Sequence, residues 1–287
     1  MMQCVCKDAQ RGGWYYNQFV GTVFSECLYY PVDYIPLVCG LISTVLWMFA
    51  LMPQIITNYK NKQTEALSPV FVVVWLAGDV FTLAGAVISQ QPMTMILCGA
   101  YFCLNDVFML SQSYIYRNNS SGGRRSSRSK SVATLCAVAL MVGGTIAATS
   151  TSMSPSVTGR TLLSENTNYC DYESDNEIRF ILGSVISWIA GMLYFFSRIP
   201  QIRHMVSSRS VEGLDVRMFI LCVAANTFGG AQFIAKAALS NDFNVQKWCA
   251  NTLPFVIGST GTLVFDFIII TIYFRYGRLP TRDIEKQ

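Results

Sequence analysis

Three carboxylates lie in stretches of sequence that should not hold charge. Asp79 sits in Trp-Leu-Ala-Gly-Asp-Val-Phe (residues 75–81) and Asp106 in Tyr-Phe-Cys-Leu-Asn-Asp-Val-Phe (101–108). Asp266 sits in Thr-Leu-Val-Phe-Asp-Phe-Ile-Ile (262–269). An acidic residue at the centre of a membrane helix costs about 2.5–3.5 kcal/mol on an insertion scale. Such residues usually face an interior cavity and mark the path of a substrate or a proton. A carboxylate there can balance a cation leaving water, or take up a proton when desolvation raises its pKa. The competing reading is a structural hydrogen bond to a neighbouring helix, with Asn105, Asn226 or Tyr101 as partner.

A second constellation occurs twice. Residues 52–67 contain Pro53-Gln54-Ile55, then a basic polar loop, then Glu65 and Leu67. Residues 199–214 repeat this with Pro200-Gln201-Ile202, Glu212 and Leu214, at an offset of 147. The same offset aligns Val38, Ile42, Leu46 and Phe49 with Val185, Ile189, Leu193 and Phe196. It also aligns Ala77, Phe81 and Ala84 with Ala224, Phe228 and Ala231. That makes 12 identities in 47 positions, so the chain reads as an internal duplication. Asn226 falls where the first copy has Asp79. A proline deep in a membrane helix removes one backbone hydrogen bond, and a glutamine beside it can bond to a neighbour. Placed twice by symmetry, Pro53 and Pro200 fit a pair of hinges or gates, with Gln54 and Gln201 as polar partners. The plainer reading is that Pro-Gln marks where apolar sequence meets a loop.

These residues need membrane helices to hold them. Of the 287 residues, 52% are hydrophobic and 13% charged, about half the charge of a soluble domain. Seven apolar stretches approach the roughly 20 residues of a spanning helix. They run from Tyr34 to Asn58, Pro69 to Ser89, Met93 to Tyr116, Val132 to Thr151, Ile178 to Met205, Val216 to Leu239 and Leu253 to Tyr276. The expected fold is an all-α polytopic membrane protein of seven helices arranged 3+1+3. A lumenal segment (1–33) precedes the first three-helix repeat (34–116). A basic loop, linker helix four and an acidic loop (117–177) lead to the second repeat (178–276) and a cytosolic tail (277–287). Helix four brings helix five in with the orientation of helix one, so the repeats are parallel, as in sugar transporters of the SWEET type.

Lys60, Lys62, the run Arg117–Lys130, Arg203, Arg209 and Arg217 place alternate loops in the cytosol, with the N-terminus lumenal and the C-terminus cytosolic. The basic residues of the spans themselves are read as lying near helix ends, with Lys236 snorkelling. The first 33 residues have no basic region before an apolar core, so they do not read as a signal peptide. Their aromatics suit the membrane surface. The net charge of +4 comes from loops and is no nucleic-acid signal. The ten cysteines lack metal-type pairing, and His204 reads as a loop histidine. No cofactor is expected. Cys4, Cys6, Cys27, Cys170 and Cys249 fall on the lumenal side, where one or two disulfides would form if that side is oxidising. Their pairing is open, as is the oligomeric state. Glycines such as Gly78, Gly191, Gly229 and Gly230 suit close helix packing.

The doubled Pro-Gln motif in a 3+1+3 chain resembles the PQ-loop repeat family, over nearly everything from Asp33 to Tyr276. Gly78-Asp79-Val80-Phe81-Thr82-Leu83 is similar to the Gly-Asp-x-x-Asn-Leu segment of its lysosomal and vacuolar cationic amino acid exporters, with Thr82 in place of Asn. Tyr101 with Asp106, and Gly258, Thr262 and Asp266, also resemble that branch. The resemblance implies a non-enzymatic transporter in a lysosomal or vacuolar membrane that exports Lys, Arg or His to the cytosol, with lipid and protons as further partners. The binding set is then Asp79, Asp106, Asp266, Asn226, Gln54, Gln201 and Tyr101. The alternatives are a cystine or other small-solute transporter of the same fold, and a seven-helix receptor or sensor. An intramembrane aspartyl protease fits poorly, since Ala77-Gly78-Asp79 lacks the first glycine of Gly-x-Gly-Asp and the duplication goes unexplained.

Overall fold

The computed structural model describes residues 6, 8–24, 26–88, 93–120, 177–239 and 244–277. Six stretches in it are long and apolar enough to cross a membrane. The expected fourth span, at 132–151, lies outside the described residues, as do Cys4 and Cys170.

Repeat one contains α2 (Tyr34–Ala50), α3 (Met52–Asn61), α4 (Pro69–Ile88) and α5 (Met93–Ser120). Repeat two contains α6 (Glu177–Ser208), α7 (Val216–Leu239), α9 (Leu253–Thr260) and α10 (Thr262–Gly277). Two short helices, α1 (Gln18–Phe24) and α8 (Val245–Asn251), lie outside these bundles.

Two expected spans are interrupted. The stretch from Tyr34 to Asn58 breaks at Leu51, and Pro53 occupies the first turn of α3. That position suits proline, because the first-turn N–H groups have no intrahelical acceptor. The stretch from Leu253 to Tyr276 breaks at Gly261. There a Cβ would stand 2.9 Å from the Phe195 ring, so the close approach requires glycine. In contrast, α6 runs unbroken through Pro200. His204 belongs to α6 rather than to a loop, and its Nε2 lies 2.6 Å from the Glu65 carbonyl.

The two repeats are interleaved. The first helix of each packs along the second helix of the other, α2 on α7 and α4 on α6. The main apolar core draws on both repeats, with Leu67, Phe71 and Trp75 meeting Met205, Met218 and Phe219. Several duplicated apolar residues face outward instead. Val38 and Val185 are 49% and 51% exposed, and Phe49 and Phe196 are 56% and 51% exposed. These apolar side chains lie on the outer surface of the described helices, where candidate membrane spans present apolar residues.

The N-terminal segment is tied down. A short antiparallel hairpin pairs Gln10 with Tyr15 and Arg11 with Trp14. A disulfide joins Cys6 to Cys27, while Cys249 carries a free thiol. Asn17 donates to the Tyr34 hydroxyl at 2.9 Å. Lys236, expected to snorkel, lies in the last turn of α7 and reaches Glu26 at 2.8 Å.

Candidate binding site between the repeats

The site grows from one stripe of α4. Phe71, Trp75, Asp79 and Thr82 recur at spacings of three and four, so they share a face. That face meets Tyr194 and Arg198 of α6, themselves four residues apart. Gly78 lets the two helices close, since a Cβ there would lie 2.7 Å from the Tyr194 ring. Tyr194 then donates to Asp79 Oδ1 at 2.6 Å, with Thr82 Oγ1 3.0 Å from the same hydroxyl. Asp106 reaches this group from α5, and its carboxyl interacts side chain to side chain with Asp79. Both carboxyl groups are buried.

Arg198 is the residue that sequence reading missed. It was placed among basic residues near helix ends, yet it is 2% exposed in the midst of the cluster. Its Nε donates to Asp266 Oδ1 at 2.7 Å, and its Nη1 to Ser197 Oγ at 3.2 Å. The guanidinium lies 4.5 Å from the Trp75 ring centre and 5.2 Å from that of Phe71. These contacts solve a desolvation problem: a buried charge needs a partner, and aromatic faces add attraction. The expectation that the three carboxylates have no basic partner inside the membrane is therefore corrected. Asp266 has one. A signal was available, because the duplication places Arg198 opposite Leu51, a position that repeat one fills with an apolar side chain.

Asn226 lies beside Asp266. Its Nδ2 donates to Thr262 Oγ1 at 3.0 Å. The structure thus brings Asp79, Asp106, Asp266 and Asn226 together and adds Tyr194, Arg198 and Thr262. Two buried carboxylate oxygens, Asp106 Oδ2 and Asp266 Oδ2, have no hydrogen-bond donor among the described residues.

The other expected site residues have different partners. The Tyr101 hydroxyl donates to the Met48 carbonyl at 2.7 Å, linking α5 to α2. Gln54 and Gln201 hold loops. Gln54 Nε2 donates to the Gly213 carbonyl at 3.0 Å, and the Asp215 N–H donates to Gln54 Oε1 at 2.7 Å. Gln201 Nε2 donates to the Ala66 carbonyl at 3.0 Å, and the Ser68 N–H donates to Gln201 Oε1 at 2.8 Å. Every partner is related by the same offset of 147, so each glutamine clips the loop of the opposite repeat. Asn58 extends the first clip, accepting from Gln54 at 2.7 Å and donating to Gln112 at 3.2 Å.

Comparison with known proteins bears on the duplication and on the kind of protein. The pattern described as PQ loop repeat matches twice, at residues 35–95 and 182–242. The chain is 28% identical over 284 residues to the vacuolar arginine/histidine antiporter YPQ2 of Saccharomyces cerevisiae, covering 86% of this chain and 85% of the relative. It is 28% identical over 268 residues to the human lysosomal amino acid transporter 1 homolog, covering 91% and 89%. It is 27% identical over 306 residues to the yeast vacuolar lysine transporter YPQ1, covering 84% and 93%. These relatives are transporters by name, not enzymes. The chain thus carries the PQ loop repeat twice, each copy holding one Pro-Gln motif, and is similar over most of its length to these transporters.

Proposed function

We propose that the protein exports cationic amino acids, Lys, Arg or His, from the lumen of an acidic organelle to the cytosol by alternating access coupled to protons. One observation carries this reading. The junction of the repeats buries three carboxylates, Asp79, Asp106 and Asp266, against one buried cation, Arg198. With all four ionised, that interior holds a net charge of −2 (three negative, one positive). A zwitterion without side-chain charge would leave it uncompensated, whereas a cationic amino acid brings a positive charge to a region of low dielectric. Asp79 and Asp106 share one buried site, and two carboxyl groups so placed favour a proton on one of them. One proton and one monocationic substrate make the interior neutral. The names of the yeast and human relatives favour the same substrate class and a vacuolar or lysosomal membrane.

In this reading a linker helix at 132–151 completes a 3+1+3 arrangement of parallel repeats. The N-terminus is lumenal and the loops holding Lys60 and Arg209 are cytosolic. The two glutamine clips then close the cytosolic end beneath the charged cluster. Pro53 and Pro200 flank the clips; Pro200, inside the continuous α6, is the main point about which that end opens, and Pro53 has the lesser part.

The test is uptake of radiolabelled arginine, lysine, histidine and cystine into proteoliposomes at two lumenal pH values. Arginine, lysine or histidine should accumulate, faster with an acidic source compartment, and cystine should not. Preference for cystine would overturn the substrate reading. Engineered cysteines at Gln63 and Ser208 should label from the cytosolic side, and labelling from the lumen would overturn the orientation.

A further inference from the structure

The pair formed by Arg198 and Asp266 is made in an unusual way. An arginine and a carboxylate commonly meet through two parallel hydrogen bonds. Here Nε alone reaches Asp266, while Nη1 is turned to Ser197. Asp266 Oδ2 is left buried without a donor. Asp106 Oδ2, in the same state, lies within electrostatic reach of the same guanidinium. A buried carboxylate oxygen without a donor is costly, and such exceptions in a folded protein call for an explanation. Two of them beside one incompletely used guanidinium define complementary vacancies, acceptors for an ammonium and a planar donor for a carboxylate.

A free α-amino acid carries that combination at its head, whatever its side chain. Building on the transport reading above, we propose that Arg198 and Asp266 are the receptor for this head. Arg198 takes the α-carboxylate and Asp266 Oδ2 takes the α-ammonium. Asp79 and Asp106 are thereby left to the side chain and to the proton. Phe71 and Trp75 hold the guanidinium plane in place from the face of repeat one. Asn226 stands beside Asp266 but donates to Thr262 Oγ1 at 3.0 Å, and the Thr262 hydroxyl donates to the Ser259 carbonyl. The division of labour is testable because it assigns head-group recognition and side-chain charge to different residues.

The probes are arginine, its decarboxylated analogue agmatine, arginine methyl ester and citrulline, compared by counterflow in proteoliposomes of the full chain. The wild type should carry arginine in preference to agmatine and the ester by about tenfold or more, the value of a charge-assisted hydrogen bond. In the double variant Arg198→Gln with Asp266→Asn, which removes both members of the ion pair together, arginine and agmatine should converge to within about twofold. Asp79→Asn should do the reverse, keeping rejection of agmatine while losing the distinction between arginine and citrulline. Equal wild-type flux of arginine and agmatine would overturn the inference without any variant, even if the double variant does not fold. A folded double variant that keeps the wild-type ratio would overturn it as well. Wild-type vesicles that move agmatine and the ester as fast as arginine leave the transport reading intact. Vesicles that move no cationic amino acid overturn that reading and this inference together.

Discussion

The two repeats agree at one end and disagree in the middle. At the loop end the bonds are interchangeable. Gln54 holds Gly213 and Asp215 as Gln201 holds Ala66 and Ser68, with lengths of 3.0 and 2.7 Å against 3.0 and 2.8 Å. Half a helix away the symmetry is gone. Repeat one places Asp79 where repeat two has Asn226, and Leu51 where repeat two has Arg198. The acid of repeat one therefore meets a tyrosine hydroxyl, while that of repeat two, Asp266, meets a guanidinium. The two copies keep the same loop clips, while the two sides of the cluster are chemically distinct. The prolines diverge too: Pro53 begins a new helix, while Pro200 interrupts the hydrogen bonding of a continuous one.

The largest effect should come from making the centre symmetric. Asp79→Asn gives both repeats the same amide and removes the carboxyl bonded to Tyr194. Arginine flux should fall about a hundredfold or more, the loss expected when a desolvated charge partner is deleted. The complementary Asn226→Asp adds a carboxylate beside Asp266, and like charges at that range need a proton. Its flux should survive only at acidic pH. Wild-type flux in both variants would show that the asymmetry has no role in transport.

The next effect separates the prolines. Pro200→Ala restores a backbone donor within α6 and should slow flux several-fold while leaving protein level and melting unchanged. Pro53→Ala changes a first-turn position that needs no donor, and should cost little. Equal slowing by both would restore the symmetric pair of hinges that the sequence alone implies. Full activity in both, and in the double variant, would reduce the prolines to helix punctuation.

Gln54→Ala and Gln201→Ala each leave one loop N–H and one carbonyl unsatisfied, costing about 1–3 kcal/mol per buried group. Gln54→Ala should lower melting further, because it also removes the donor to buried Asn58. A larger melting loss in Gln201→Ala would break this ranking of the clips. The smallest effect belongs to Asp215. Its carboxyl is held below the usual range, chiefly by the hydrogen bond from Arg217, with Thr57 adding a bond at 2.9 Å. A lowered folded pKa gives stability that is complete above the unfolded value near 4 and is lost as pH falls through the folded one. Asp215→Asn should therefore narrow the melting difference between pH 7 and pH 3 slightly, and leave melting at pH 3 nearly unchanged.

Much of this was legible in the sequence for a physical reason. Long uncharged runs can only be spans, and Asp79, Asp106 and Asp266 stand out in them because burying a lone carboxylate is costly. The duplication also exposed Asn226 as the partner position of Asp79. Arg198 was hidden because it lies two residues before Pro200, where apolar sequence gives way to a basic loop. A charge near such a boundary reads as interfacial unless the helix is known to continue to Ser208. The breaks at Leu51 and Gly261 were hidden because apolar residues flank both. Tyr194 gave no signal, since an aromatic in an apolar run is ordinary packing until its hydroxyl finds a carboxylate.

The exchanged clips also bear on how the chain is made. Gln54 leaves the ribosome 161 residues before the Asp215 amide that completes its bonding. At roughly 5–20 residues per second, the first half waits on the order of ten to thirty seconds with a buried amide and an open loop. During that interval the newly inserted helices are a substrate for quality control in the membrane. The half ending near Ser120 should be degraded when synthesised alone. It should be rescued by supplying residues from Glu177 onward as a separate polypeptide, because the second half carries the bonds that the first half lacks.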